Sequence, residues 1–454
     1  MKNSQIILSL LIFSFSFISC KKYLDAKPDK ELVVPTTLQD AQALLDYYTR
    51  MNAWYPSIGG VSDDDFYLSD TYYNSISNIY QNNYTWYRES RNDNEWKDVY
   101  TIILYSNLAL ETVENINPNN TSVEDWKRVK GSALFFRAYA LYHVAQYYTE
   151  PFDRNTAAQK PGVPIRITSL VTEKIERGTL AQTFEKIIED LKSASALLPV
   201  NNLPVTRPSK VAAYGALARV YLTMEDYFNA GKYADSCLSI YNTLLNYNSI
   251  NPAAAIPFSR FNSEVIFHST VLVAGPLSTT NWRADSLLYA SYSANDLRKS
   301  LFFRANGTSP AIYYGFKGSY EPSTGGNVFN GIATDEIYLI RAECYARQNN
   351  KDAALADLNT LLIKRWKTGT FIPYTASTSD DALVKILTER RKELVGRALR
   401  WFDLRRLNKD NRFAKTLVRV IGGQVYQLPS NDLRYTHYIP QIVIDFTGMQ
   451  QNNR

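Results

Sequence analysis

The chain is poor in the residues that most often carry chemistry. It holds three cysteines and three histidines in 454 residues. His143, His268 and His437 stand far apart, without the spacing of a ligand set, so no metal site and no cofactor follows from them. A nucleophile elbow, a metalloprotease histidine pair, a phosphate-cradling glycine loop and a dinucleotide fingerprint are all missing. A long block of one charge is missing too. The net charge is +6, with Lys and Arg interleaved among Asp and Glu, which argues against a nucleic-acid arm. Nor is there an apolar run of the roughly 20 residues that span a bilayer as a helix, so the mature body is expected to be soluble.

What is present begins at the N-terminus. Lys2 precedes an apolar run from Ile6 to Ile18, which ends in Ser19-Cys20. The run has the proportions of a secretory h-region. A small residue followed by Cys directly after it is the layout of a bacterial lipobox, in which residues 1–19 are removed and Cys20 is acylated. An ordinary signal peptide with an incidental cysteine is the alternative. Acyl chains contribute about 0.8 kcal/mol per buried methylene, so two or three would hold a soluble body on a membrane. Cys237 and Cys344 remain. A disulfide is open to them in an exported protein, but both fall in helical, apolar-periodic stretches, where free buried thiols are the favoured expectation.

The composition is rich in one class, with 33 Tyr and 7 Trp. From Trp54 to Tyr100 there are 12 aromatics in 47 residues, about twice the chain average of 13%. Residues 51–91 and 248–332 lack a sustained period and are full of Asn, Ser, Gly, Pro and aromatics, so they read as long ordered loops. Between and after them lie helical patterns: a first helix capped by Thr37 with Asp40, then 93–115, 122–148, 180–198, 209–224, 227–241, 334–348, 351–364 and one long helix over 380–407. Gly422-Gly423 marks a hairpin turn. Tyr214, Ala218, Tyr221 and Ala230 repeat the spacing of Tyr338, Ala342, Tyr345 and Ala354. That is the tetratricopeptide layout, in which small residues let two helices approach and aromatics fill the groove. The fold class is therefore mostly α, with tetratricopeptide-like hairpins at about 209–241 and 334–364 and a long-loop face.

Two charged stretches call for explanation. Asp63-Asp64-Asp65, with Asp70 nearby, reads as a solvated, turn-forming loop; ligand hydrogen bonding is the second reading, and a glycosidase acid and nucleophile a distant third. Near the C-terminus stand Glu389-Arg390-Arg391-Lys392-Glu393-Leu394 and Arg400-Trp401-Phe402-Asp403-Leu404-Arg405-Arg406. On one helix, Leu383, Leu387, Leu394, Ala398 and Trp401 share a face, and Glu393 with Arg397 forms an i,i+4 pair. This reads as a buried structural helix.

A lipobox leading into Lys21-Lys22-Tyr23-Leu24-Asp25, that C-terminal signature, the tetratricopeptide pairs and Tyr438-Ile439-Pro440 together resemble the SusD/RagB family. Its members are nutrient-binding outer-membrane lipoproteins. Ala398 stands where many members carry Gly. The resemblance covers essentially all of residues 20–454. It implies a helical scaffold whose opposite, loop-built face captures a glycan or an oligopeptide without catalysis. It further implies attachment to the outer membrane, facing the exterior, and a SusC-like TonB-dependent barrel as partner. A surface hydrolase is the remaining alternative. No ligand residue is carried over from the family. From the loops themselves, the candidates for stacking on a ligand are Trp54, Tyr55, Trp86, Tyr87, Trp282, Tyr313 and Tyr314. Asp64, Asn83, Arg88 and Arg283 are candidates for hydrogen bonding, because they adjoin those rings or share their loops.

Overall fold

The computed structural model describes residues 35–201, 204–307 and 311–454. Cys20 and the expected leader, residues 1–19, lie outside them. Residues Thr36–Arg454 form one compact unit. Its helices start where a side chain can serve the unpaired amides of the first turn. Thr37 and Asp40 make a reciprocal capping box for α1 (Leu38–Leu45). A short helix, α2 (Ile58–Ser62), and a two-residue strand, β1 (Phe66–Tyr67), follow. Asn92 caps α3 (Asp93–Glu114) and Ser122 caps α4 (Val123–Tyr148). Thr179 and Gln182 form a second box at α5 (Leu180–Leu197). The hairpins α6 (Lys210–Thr223) with α7 (Tyr227–Leu238), and later α8 (Thr334–Arg347) with α9 (Lys351–Leu362), come next. Consecutive helices from α3 to α9 pack on one another, α7 against α8 included, so the two tetratricopeptide-like pairs extend one array.

Ala218, Ala230, Ala342 and Ala354 are fully buried at the contacts, where a larger side chain would separate the helices. The mostly helical reading holds. Among the described residues no helix is long and apolar enough to cross a membrane. Cys237 and Cys344 are free and buried.

The second body of the unit grows from the two loop regions. It is ordered, as the aromatic content suggested, and holds short regular elements that the missing period did not show. Short helices at Asp70–Ser75 and Asn78–Tyr84 interrupt the first region. The second contributes β2 (Arg283–Ala284) and the ribbon β3 (Phe303–Asn306) with β4 (Tyr313–Phe316). These elements enclose a core of their own, centred on Phe66, Tyr84, Trp282, Phe302, Phe316 and Tyr320.

Three expectations fail near the C-terminus and in the acidic loop. The long helix over 380–407 is two, α10 (Ser379–Glu393) and α11 (Arg400–Leu407). They are parted by a turn in which Gly396 has φ +68° and Ala398 φ +54°. With the helix broken, Glu393 and Arg397 do not pair: Glu393 meets Arg298 and Arg365, while Arg397 meets Asp335 at 2.6 Å. Asp63-Asp64-Asp65 is not solvated, since Asp63 and Asp65 are buried and Asp64 is ion-paired. The Gly422-Gly423 turn does join two strands, β5 (Leu417–Ile421) and β6 (Gln424–Leu428).

Candidate functional site

The two aromatic loop regions come together. β1 pairs antiparallel with β2, placing Phe66 opposite Ala284 and Tyr67 opposite Arg283. The Leu272 amide donates to the Tyr55 carbonyl at 2.8 Å, and the Tyr80 hydroxyl donates to the Val273 carbonyl at 3.3 Å. Beneath this seam Trp282 stacks on Phe66, with ring centroids 5.5 Å apart and planes 18° from parallel. It also packs on Phe303 and Phe316. That layer is a floor.

The ribbon β3–β4 lies beside the seam. Its register sets Phe303 opposite Phe316, Arg304 opposite Gly315, Ala305 opposite Tyr314 and Asn306 opposite Tyr313. Side chains directly opposite share a face and alternate along each strand. Phe303 and Phe316 therefore turn inward on Trp282, with Ala305 and Tyr314 on the same side, while Arg304, Asn306 and Tyr313 occupy the other. The backbone oxygen of Thr279 would stand only 2.8 Å from a Cβ on Gly315, so glycine there admits the neighbouring loop.

Half-exposed aromatic groups result on both faces of the ribbon, together an aromatic array around it. The Arg283 guanidinium carbon sits 4.1 Å from the centre of the Tyr313 ring. Tyr314 stacks on Tyr289 at 3.6 Å and 14°, and the Lys299 ammonium lies 4.8 Å from the Tyr289 ring. Tyr67 flanks Arg283 with 41% of its surface exposed. Partial burial raises the Tyr289 hydroxyl above the ordinary tyrosine range, so it is a neutral donor. Such an arrangement offers flat apolar faces beside in-plane N–H and O–H groups, the pairing that sugar rings require.

The residues named from sequence divide by exposure. Arg283 and Tyr313 meet on the outer face of the ribbon, and Tyr314 lies on its inner face with Tyr289. Trp54 is half-buried in a separate place, with the Arg50 guanidinium 3.2 Å above its ring. Tyr87 and Arg88 are exposed on a third stretch. Tyr55, Asn83, Trp86 and Trp282 are each no more than 2% exposed, and protein atoms use their contact surface. Tyr55 donates to the Met51 carbonyl, Asn83 accepts from the Ser90 hydroxyl, and the Trp86 indole donates to the Ser62 carbonyl at 2.8 Å.

Asp64 is held by Arg400 at 2.6 Å, Lys415 at 2.7 Å and Arg391 at 3.2 Å. Burial alone would raise its pKa, but Arg400 and Arg391 outweigh burial and keep it far below the ordinary range. Its neighbours go the other way: burial drives Asp63 up, and drives Asp65 to about 6. Tyr67, Tyr72, Tyr289, Lys299, Arg304 and Asn306 were not singled out from sequence. For the ribbon residues the signal was present, in the alternation of Phe-Arg-Ala-Asn against Tyr-Tyr-Gly-Phe.

Two clefts lie elsewhere. One of about 460 Å³ is lined by Arg177, Gln182 and Thr447–Gln450, and one of about 290 Å³ by Glu150, Arg405 and Tyr435. Neither presents paired rings. Among the described residues no group of three or more His, Cys, Asp or Glu is placed to hold a metal.

Comparison with known proteins agrees with this architecture. A family described as "Starch-binding associating with outer membrane" matches residues 22–222, and one described as "SusD family" matches 313–442. The chain belongs to the SusD family. SusD-like protein P2 of Formosa agariphila is 24% identical over 380 residues, covering 70% of this chain and 72% of that protein. A SusD superfamily protein from Bacteroides thetaiotaomicron superposes with a TM-score of 0.73 at 22% identity, over 92% of this chain and 100% of its own. Surface glycan-binding protein A from Bacteroides uniformis gives 0.70 at 15% identity, over 91% and 98%. At these identities the structural likeness establishes a shared SusD fold.

Proposed function

We propose that this SusD-family protein is a non-catalytic glycan receptor, anchored to the outer membrane through acylated Cys20, which passes its ligand to a SusC-like TonB-dependent barrel. The observation that carries the reading is the set of half-exposed rings on the ribbon, Tyr313 beneath Arg283 on its outer face and Tyr314 stacked on Tyr289 on its inner face. Tyr289 packs in turn on Phe303 of the aromatic floor, so these rings are preorganised and lose little entropy on binding. Membership in the family supports the carbohydrate class, and the lipobox supports the anchor. A catalytic reading has little to stand on, because the one acidic run in the loops is buried and neutralised by arginines.

The test is a glycan panel read by affinity electrophoresis and calorimetry. A stacked ring typically contributes about 0.5–1.5 kcal/mol. Tyr313→Ala and Tyr314→Ala should therefore weaken binding about threefold to tenfold each, with melting temperatures close to wild type. Unchanged affinity in both variants would move the site away from the ribbon. Capture of peptides instead of glycans would assign the array to an oligopeptide.

A further inference from the structure

The cations around the array are short of counter-charges. The Arg283 guanidinium has neither a carboxylate partner nor a hydrogen bond among the described residues, and lies on the face of Tyr313. A guanidinium stacked by its face leaves its five in-plane N–H groups free for a planar or tetrahedral oxyanion. Arg304 lies on the Tyr313 side of the ribbon by register. It too has no carboxylate partner, and its Nε is buried without an acceptor, as is Nδ2 of neighbouring Asn306.

Lys317 continues the same strand side and donates only to the carbonyls of Pro252, at 2.6 Å, and Ala254, at 3.1 Å. Burial lowers its pKa, and the nearby positive charge of Arg304 lowers it further, which places the two cations within electrostatic reach. The nearest carboxylates in sequence are committed elsewhere, Asp296 to Arg298 and Lys392. Asp285 caps the Leu288 amide and faces Arg391, while Glu321 is held by Arg260 and His268. Like charges left together with donors unfilled cost stability unless something negative joins them.

We infer that the captured ligand is an anionic glycan, whose carboxylate or sulfate groups are received by Arg283 and Arg304 while its sugar rings lie on Tyr313. The inference rests on the proposal that this face captures a glycan, and adds charge to it. Uronate and sulfate ester present the same chemistry, a delocalised oxyanion with two or more acceptor oxygens in reach of a guanidinium edge. Lys317 stands behind Arg304 and raises the local potential.

The test uses two matched pairs of polymers: polygalacturonate against highly methyl-esterified pectin, and dextran sulfate against dextran. The full mature protein is compared with the double variant Arg283→Gln/Arg304→Gln. A control, Lys364→Gln/Lys367→Gln, removes the same charge from two exposed lysines that follow α9. The charged member of one pair should bind at least about tenfold tighter than its neutral partner, as expected for charge-assisted hydrogen bonds. The double variant should abolish that difference and the control should keep it. Which pair responds separates uronate from sulfate.

Three results overturn the inference. Equal affinity for charged and neutral partners, with the arginine variant unchanged, refutes charge selection while Tyr313→Ala still tests capture. Equal losses in the double variant and the lysine control would reduce the effect to diffuse attraction by net charge. Failure of the wild type to bind any glycan would remove capture itself, and this inference with it.

Discussion

The indole of Trp282 lies between Phe66 and Phe303, at 5.5 and 6.2 Å, with planes within 21° of parallel. Tyr313, on the ribbon above, has one face on Arg283 and is half-exposed. Both are aromatics in the same kind of loop, yet one is occupied by the protein and the other offers surface to a ligand. Trp282→Ala removes a buried ring and leaves a cavity, which costs about 3–5 kcal/mol. Its denaturation midpoint should fall far below that of Tyr313→Ala. Any loss of binding should follow the unfolded fraction and recover on cooling. A Trp282→Ala protein with wild-type stability and no ligand affinity would reverse the two roles. Composition alone could not separate these rings, because an aromatic-rich loop must build a small core before it can display anything. Only the alternation along the paired strands tells inward Phe316 from outward Tyr313, and the pairing is a tertiary fact.

Among the elements, most helices were legible because their caps and periods are local. Thr37 with Asp40, Ser122, Thr179 with Gln182, and Ser209 each cap where sequence placed a start. The failure at 394–399 is instructive. The apolar spacing from Leu383 to Trp401 continues across the break, so periodicity saw one helix. Gly396 and Ala398 both take left-handed backbone angles, and a glycine is a weak stop signal when apolar spacing runs on past it. The turn has a purpose in packing. It aims Arg397 at Asp335 and lays its guanidinium 4.0 Å from the Tyr320 ring. It also presents Gly396 to Phe316 so closely that a Cβ would stand 2.4 Å from that ring. Gly396→Ala combines an unfavourable backbone angle with overpacking, about 2–4 kcal/mol in sum. Because Phe316 is the inner anchor of the ribbon, we expect this variant to lose both thermal stability and glycan affinity, whereas Gly422→Ala, at an open hairpin turn with no atom within 4 Å, should keep its affinity. Wild-type binding by Gly396→Ala would show that the ribbon does not depend on the turn behind it.

Across the whole molecule, the helical array and the loop body are joined by buried charge. Arg365, just past α9, donates to Glu264 and Glu393 at 2.7 Å each. Arg298, in the loop body, bonds Asp296 at 2.7 Å and reaches Glu389 and Glu393 on α10 at 2.5 and 3.0 Å. Partners 91 and 95 residues apart leave no local trace, which is why the sequence showed only an ion-rich helix. Such pairs are costly to desolvate as well as attractive, so their net worth is modest while intact; removing one member is what costs heavily. Arg298→Met leaves Lys392 alone against Asp296 and Glu389, and Arg365 alone against Glu393, with no exit to water, and we expect a loss of about 3 kcal/mol at neutral pH. An exposed pair sets the contrast: Arg412→Ala, which frees Asp380 and Asp410 at the surface, should cost no more than about 1 kcal/mol. The pH dependence distinguishes the mechanism from simple loss of packing. Burial raises Glu389 and Asp296, but Arg298 together with Lys392 outweighs it and holds both below the ordinary carboxylate range. That stabilisation is present above about pH 4–5 and fades as pH falls through the lowered values. Without Arg298 only Lys392 opposes burial, so both groups shift toward their neutral form and the variant should gain relative stability as pH drops. Urea titrations at pH 7 and pH 5 should therefore show the gap between Arg298→Met and wild type narrowing at the lower pH. A gap independent of pH would mean that the arginine acts through its volume and not its charge.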